Sequence, residues 1–190
     1  LVFDLGGGTF DVSLMSISNG VFDVKATSGD TQLGGNDFDQ RIVDWLAEDF
    51  LKENKVDLRR DRQSLQRLTE AAEKAKQELS GVQTTPISLP FISTGKEGPL
   101  HIETTLSRKI YEGLCNDLLD KLFEPVNTVI DDSGWSPQEI DEVVLVGGST
   151  RMPMVKQLVK TLVPNPPCQS VNPDEVVAIG AAIQGGIISG

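Results

Sequence analysis

The chain has 190 residues, of which 38% are hydrophobic, and it carries a net charge of −11 at pH 7. This composition indicates a globular protein of one domain or two small ones, and the acidity argues against a general binder of nucleic acids or anionic membranes. No apolar run approaches the about 18 residues of a membrane span, and the distant cysteines, Cys115 and Cys168, exclude a disulfide framework or zinc site and fit a reducing compartment.

Three short strands open the predicted fold, at about residues 1–5, 10–17 and 21–28. Each is an apolar or alternating run. A glycine turn joins the first two, and "SNG" at 18–20 is typical of a hairpin between the second and third. The chain begins inside the first strand without an initiating Met, so we expect it to be a piece of a longer protein.

Two helices and a small β element follow. The first helix has an apolar face formed by Phe38, Ile42, Trp45, Leu46 and Phe50. The second, from about 63 to 80, has an apolar stripe that we expect to be buried: Leu65, Leu68, Ala72, Ala75 and Leu79. Residues 82–106 alternate on both sides of the turn "STGKEGP" and predict an antiparallel pair of strands.

The last part of the chain returns to helices. A long helix is predicted at 107–132, and "SPQEI" at 136–140 is a helix-start pattern with Pro at the first position. "EVVLVGGSTRMP" at 142–153 predicts a buried strand, a glycine turn and a new helix, and a final helix follows "NPDE". The order predicts an α/β domain, residues 1–35 and 117–190, with a smaller α+β subdomain inserted at 36–116.

The stretch "DLGGGTFD" at residues 4–11 is the first candidate site. It joins two strands, so it is not the strand-to-helix fingerprint of a dinucleotide site, and the phosphate-loop motif ending in GK[ST] is absent. Successive glycines can still turn their N–H groups toward one anion, and Thr9 adds a hydroxyl. Asp4 and Asp11 flank the turn and could hold Mg²⁺ directly or through water. The alternative is a tight hairpin with two solvated acids.

Two further stretches are candidates. In "VVLVGGSTR" at 143–151, an apolar strand ends at Gly147 and Gly148, where ligands of α/β proteins usually bind, and Arg151 could stack on a planar ring. The alternative is an ordinary turn with a surface arginine. In the helix "LTEAAEKAKQELS", Glu73, Lys76, Gln77 and Ser80 share a polar face that could hold a ribose or a purine edge, or could simply be solvated.

Taken together, these stretches resemble one family. "VFDLGGGTFDVSL" and "VVLVGGSTRMPMV" resemble the two nucleotide-site signatures of the DnaK chaperones, the 70-kDa heat-shock proteins, and "TSGDTQLGGNDFD", "LTEAAEKAKQELS" and "VNPDEVVAIGAAIQGG" resemble the same family in the same order. The resemblance covers essentially the whole chain. It implies the second lobe of the family's ATPase domain, with an actin-like, ribonuclease-H-like core and an inserted smaller α+β subdomain.

The resemblance also implies roles for single residues around ATP or ADP and Mg²⁺. Asp4 and Asp11 match the acids near the Mg²⁺ and its waters and, with Thr9, are the expected catalytic residues. The loops near the phosphates are matched by Gly6, Gly7, Gly8, Thr9 and Gly35. The positions near the adenosine are matched by Glu73, Lys76, Ser80, Gly147, Gly148, Ser149, Arg151 and Asp174.

Two features limit what the chain is expected to do alone. Gln77 stands where eukaryotic cytosolic members have an Arg, so the adenine would be stacked on Arg151 from one side only. The stretches "RMPMV" and "NPDEVVAIGAAIQ" resemble bacterial or plastid members of the family, which implies bacterial cytoplasm or plastid stroma. The family's first lobe, with another phosphate loop and a catalytic lysine, is absent. We therefore expect weak nucleotide binding and poor ATP hydrolysis.

The resemblance implies partners as well. They are unfolded client peptides through a missing substrate domain, a J-domain co-chaperone, and a nucleotide-exchange factor on 36–116, but no nucleic acid and no membrane. Two alternatives stay open: a non-catalytic platform for the exchange factor, or a related ATPase of the actin and sugar-kinase fold.

Overall fold

The computed structural model describes residues 1–96, 98–168 and 170–189, so Glu97 of the predicted turn at 93–99 lies outside the described residues. The chain divides into two compact units, Leu1–Gly35 with Leu118–Gly190, and Asn36–Asp117. The mixed α/β class that the sequence predicts is confirmed. That the units are the core and the inserted subdomain of the family stays a prediction. Among the described residues, no helix combines the length and apolarity that a membrane crossing requires.

The first unit contains four strands, β1 (Val2–Leu5), β2 (Phe10–Ser18), β3 (Val21–Asp30) and β6 (Val144–Val146). They form one sheet in the order β3-β2-β1-β6. The first three are antiparallel, as the sequence predicts, and β6 is parallel to β1. Asn19 and Gly20 both have positive φ (51° and 78°), which only such residues adopt readily and which matches the hairpin prediction.

Alternation along β1 and β2 creates the apolar face of this sheet. Phe3, Leu5, Phe10, Val12 and Leu14 are all at most 1% exposed. The rings of Phe3 and Phe10 lie 4.7 Å apart between centroids, tilted by 55°. Because β1 and β2 are fixed against each other by this packing, the four-residue turn between them holds a defined place at the sheet's edge.

The helices of the first unit are α4 (Asn116–Ser133, which begins in the second unit), α5 (Pro153–Leu162) and α6 (Val176–Ser189). α5 begins with the Pro that the sequence places at its first turn and buries Val155 and Val159. α6 contains no buried residue. The helix-start pattern at 136–140 forms only a 3₁₀ turn, Pro137–Glu139, although its capping box is present.

The second unit packs helices on a β-hairpin. Its elements are α1 (Gly35–Asn54, whose first residue belongs to the first unit), α2 (Arg62–Leu79), β4 (Thr84–Gly95), β5 (Gly98–Ser107) and α3 (Arg108–Leu114). β4 and β5 are antiparallel, as predicted. Of the stripe expected on α2, Leu65 is only half-buried, and Ser64 is buried instead. Ser64 Oγ lies 2.7 Å from both Asp61 Oδ2 and the Ile92 carbonyl oxygen, and donation of its one proton to either acceptor satisfies it.

The single long helix predicted at 107–132 is wrong in one respect, because the structure has two helices there. α3 ends at Leu114, and Cys115 has φ −107° and ψ 3°, outside the helical region. Its N–H donates to the Glu112 carbonyl in a tighter turn. Apolar spacing continues across this break, so the period alone did not reveal it. The break buries the Cys115 side chain completely.

The two cysteines should therefore differ in reactivity. Burial raises the pKa of the Cys115 thiol to about 12, and the thiolate is the reactive form, whereas Cys168 is partly exposed. We expect iodoacetamide at pH 8 to modify one thiol of the native chain and both thiols in guanidinium, as measured by intact mass. The Cys168→Ser variant is the control, since it should stay unmodified while folded. Native labelling of that variant as fast as in denaturant would contradict the burial of Cys115.

Candidate functional site

Three loops of the first unit meet at the carbonyl group of Gly6. The Gly35 N–H donates to this carbonyl at 2.8 Å, and the Ser149 hydroxyl donates to it at 3.2 Å. The Gly6 N–H in turn donates to the Thr9 carbonyl at 3.0 Å, which closes the turn between β1 and β2. The loops at 6–9, 34–35 and 147–149 are distant in sequence, and these bonds hold them together at one edge of the sheet.

Two glycines are needed for this approach. A Cβ on Gly147 would lie 2.3 Å from the Leu5 carbonyl oxygen, and its φ is +87°. A Cβ on Gly34 would lie 2.5 Å from the Gly7 carbonyl oxygen. Real side chains do not approach backbone so closely, so any other residue would push the loops apart.

The surface of this loop cluster is exposed to solvent and carries few side chains. Gly7, Gly8 and Thr9 are exposed, while Ser149 is 7% exposed. Backbone without side chains lets a ligand come near the N–H groups of the turn, and Thr9 adds a hydroxyl. The Ser149 hydroxyl already donates its proton to Gly6, so its described contact is with the loop itself.

Asp4 and Asp11 lie directly opposite each other on β1 and β2. Residues in this relation share one face of a sheet, where like charges repel. Burial raises the pKa of the half-buried Asp4 carboxyl, and the Asp11 charge raises it further. A divalent cation beside the pair would relieve that repulsion. No group of three or more potential metal ligands exists in the described part of the chain. Two carboxylates fit Mg²⁺, which keeps several of its waters.

Arg151 is held by two polar residues of the segment before α6. Its Nε and Nη2 atoms donate to Asp174 Oδ2 at 3.0 and 2.6 Å, and Nη2 also donates to Asn172 Oδ1 at 2.7 Å. Both members of the ion pair are about half-exposed, so the pair contributes little to stability. It does fix the plane of the guanidinium. Gly148 lies against the same carboxylate, because a Cβ there would be 3.1 Å from Asp174 Oδ1.

The remaining candidates lie on α2 in the second unit. Lys76 Nζ donates to Asp39 Oδ2 at 2.7 Å. Ser80 Oγ donates to the Lys76 carbonyl at 3.2 Å, and the exposed Glu73 accepts from Gln77 Nε2 at 3.3 Å. These residues share one polar face, on which two of the hydrogen bonds run within α2 and the third joins α2 to α1.

The structure thus distributes the expected site residues over both units. Three lie in the second unit, namely Glu73, Lys76 and Ser80. The others lie in the first unit, namely Asp4, Gly6, Gly7, Gly8, Thr9, Asp11, Gly35, Gly147, Gly148, Ser149, Arg151 and Asp174.

Sequence reasoning missed two partners, Asn172 and Asp39. Asn172 gives no signal beyond its place two residues before Asp174. Asp39 gives one, because it precedes the buried Ile42 and Val43 by three and four positions and so falls on the buried face of α1.

Known proteins match this chain along its whole length. The family model "Hsp70 protein" matches residues 1–190. The chain is 76% identical to the chaperone protein dnaK1 of Parasynechococcus marenigrum, 68% to the chaperone protein dnaK3 of Synechocystis, and 66% to the chaperone protein DnaK of Trichormus variabilis. Each match covers 100% of this chain but only 29%, 25% and 28% of the respective relative. The chain therefore spans less than a third of the length of these relatives.

The close approach at Gly147 can be tested by stability. Gly147→Ala should lower the free energy of unfolding by about 3 kcal/mol or more, because the methyl group meets the Leu5 carbonyl and the backbone φ is positive. Gly8→Ala is the matched control in the same cluster, since a Cβ there meets nothing within 4 Å. It should change stability by less than about 1 kcal/mol. Urea unfolding followed by circular dichroism measures both, and equal effects would contradict the described packing.

Proposed function

The chain belongs to the Hsp70 protein family, and we propose that it forms the second lobe of that family's ATPase domain, binding ATP or ADP with Mg²⁺. The observation that carries this proposal is the meeting of three glycine loops at Gly6, beside the opposed carboxylates of Asp4 and Asp11. An exposed, side-chain-free turn next to paired acids is suited to a phosphate chain with a divalent cation.

In this proposal the turn from Gly6 to Thr9 binds the β- and γ-phosphates through backbone N–H groups and the Thr9 hydroxyl. Asp4 and Asp11 hold Mg²⁺ largely through its water ligands, and the ion would neutralise the charge of the phosphates. Asp4 also helps to orient the attacking water. The half-buried position of Asp4 supports its proposed role at Mg²⁺, because a carboxylate with restricted solvation attracts a cation strongly.

Arg151 is proposed to bind the adenine face. A guanidinium is flat and stacks well on aromatic rings, and Asp174 and Asn172 already hold this one in a single plane. Gly147 and Gly148 leave the backbone beside it uncovered. Within the second unit, Glu73, Lys76 and Ser80 are proposed to bind the ribose and adenine edges, and Gln77 supplies no second cation for stacking.

The activity of the longer protein is likewise a proposal. It would hydrolyse ATP with a first lobe and use the nucleotide state to control binding and release of unfolded peptides during protein folding. A J-domain co-chaperone and a nucleotide-exchange factor bound to the second unit would regulate it, in bacterial cytoplasm or in a plastid stroma. The names of the relatives, all chaperone proteins of the DnaK type, support this assignment.

Calorimetric titration of ADP with Mg²⁺ into the 190-residue chain tests the nucleotide site. We expect weak binding that excludes GDP and is lost in Arg151→Ala, because the stacking cation is removed. Lys156→Ala, which removes an exposed cation of the same unit, is the matched control and should bind ADP normally. Absence of binding at millimolar ADP would contradict the proposal and favour a platform for an exchange factor.

ATP hydrolysis by the chain should be slow even if the chain binds the nucleotide. Phosphoryl transfer needs several groups positioned at once, and the residues proposed above belong to one lobe of the ATPase domain. Single-turnover hydrolysis of ATP by the chain should therefore be at least about 100-fold slower than by the complete ATPase domain of a relative. A rate equal to that of the complete domain would show that the chain carries the whole catalytic apparatus.

A further inference from the structure

Asp39 and Lys76 form an unusually buried ion pair in the second unit. Asp39 Oδ2 and Lys76 Nζ are 2.7 Å apart, and their side chains are 9% and 12% exposed. In every other ion pair of the described residues, both side chains are at least 22% exposed. The pair links α1 to α2 across 37 positions of sequence.

Stability does not explain why this pair is buried. Removing two charges from water costs about as much free energy as their attraction returns, and an apolar pair of similar volume often serves a fold as well. The second oxygen, Asp39 Oδ1, is buried and has no hydrogen-bond partner among the described residues. An unsatisfied carboxylate oxygen adds a further cost, so the arrangement calls for a reason other than packing.

The surroundings leave Lys76 as the group that offsets the Asp39 charge. Burial raises the pKa of Asp39, the Lys76 ammonium opposes that rise, and the Glu73 charge adds to it. Tyr111 and Cys115 lie close by, and burial together with the Asp39 charge raises the pKa of each, so both are neutral at pH 7. Lys76 is thus the cation that the described contacts place against this carboxylate.

The pair fixes the end of an otherwise flexible side chain. A lysine carries a point charge on a four-carbon stem, and its ammonium can take many positions unless an acceptor holds it. Asp39 Oδ2 accepts one of its three donors. Lys76 lies three positions after Glu73 and four before Ser80, so the three residues share one side of α2. A ligand that binds this ammonium would not have to order it first.

We propose that Asp39 is a positioning residue, which holds the Lys76 ammonium where it binds a hydroxyl group of the nucleoside. This inference rests on the proposed nucleotide-binding function and assigns to α1 a role at the site. Asp39 acts through Lys76 and does not itself contact the ligand, because its Oδ1 atom is buried.

The anchor itself is tested without nucleotide. In ¹⁵N-labelled protein near neutral pH, the Lys76 ammonium should give a side-chain N–H resonance protected from exchange, assigned by its loss in Lys76→Met. It should also vanish in Asp39→Asn, because the ammonium is then released to solvent. Asp49→Asn changes an exposed acid of the same helix and should leave the resonance unchanged. A resonance that persists in Asp39→Asn would overturn the inference.

The effect on the ligand is tested by a double-mutant cycle with ADP and Mg²⁺. Asp39→Asn and Lys76→Met should each weaken ADP binding roughly five- to tenfold, and the double variant should be no weaker than Lys76→Met alone. Lys74→Met, which removes an exposed lysine of the same helix, is the matched control and should bind ADP normally. Circular dichroism checks that each variant is folded. If Asp39→Asn does not fold, the apolar pair Asp39→Leu with Lys76→Met replaces it and should match Lys76→Met.

The outcomes separate the inference from the function on which it rests. Unchanged or tighter ADP binding in Asp39→Asn, with weakened binding in Lys76→Met, would overturn the role of Asp39 and leave the nucleotide site intact. Additive losses in the double variant would also overturn it, because Asp39 would then act independently of Lys76. Absence of ADP binding by the unaltered chain would overturn the proposed function and the inference with it.

Discussion

The hydrogen bonds accepted by the Gly6 carbonyl are the constraint on which the candidate site depends. They join a turn between two strands, the loop before α1 and the loop after β6, which are separated by up to 143 residues. The loops can come so close only because Gly34 and Gly147 lack a Cβ. The packing of Phe3 on Phe10 below them holds β1 and β2 in place, so the apolar core determines where the polar loops meet.

Two arrangements of acids in the chain place negative charge where it is poorly solvated or close to another negative charge. The chain is strongly acidic, and most of its acids are solvated, yet Asp4 faces Asp11 across two strands and Asp39 is buried on α1. Both arrangements cost free energy that a surface acid would not. Among the described residues, no ion pair involves Asp4 or Asp11, which suits a metal ion, whereas Lys76 pairs with Asp39. This contrast is the basis for proposing a ligand-binding role for Asp4 and Asp11 and a positioning role for Asp39.

Residues that we propose as ligands of a nucleotide also make structural contacts within the loop cluster. The Ser149 hydroxyl donates to the Gly6 carbonyl, and Asp174 holds the Arg151 guanidinium. Such contacts exist before any ligand binds, so they reduce the ordering that binding would require. The family membership explains why these residues occur together, whereas the contacts show which groups each of them touches.

The sequence by itself determined the local elements and the family. Alternation predicts the strands and Asn19-Gly20 the hairpin, because side-chain period and turn chemistry act over a few residues. It did not reveal the break at Cys115, where the apolar period runs on, nor the burial of Ser64 in place of Leu65, which depends on an acceptor 28 residues away. The pairing of Asp39 with Lys76 was decided only by tertiary structure, because it arises where two helices pack and no local pattern specifies a partner 37 residues away.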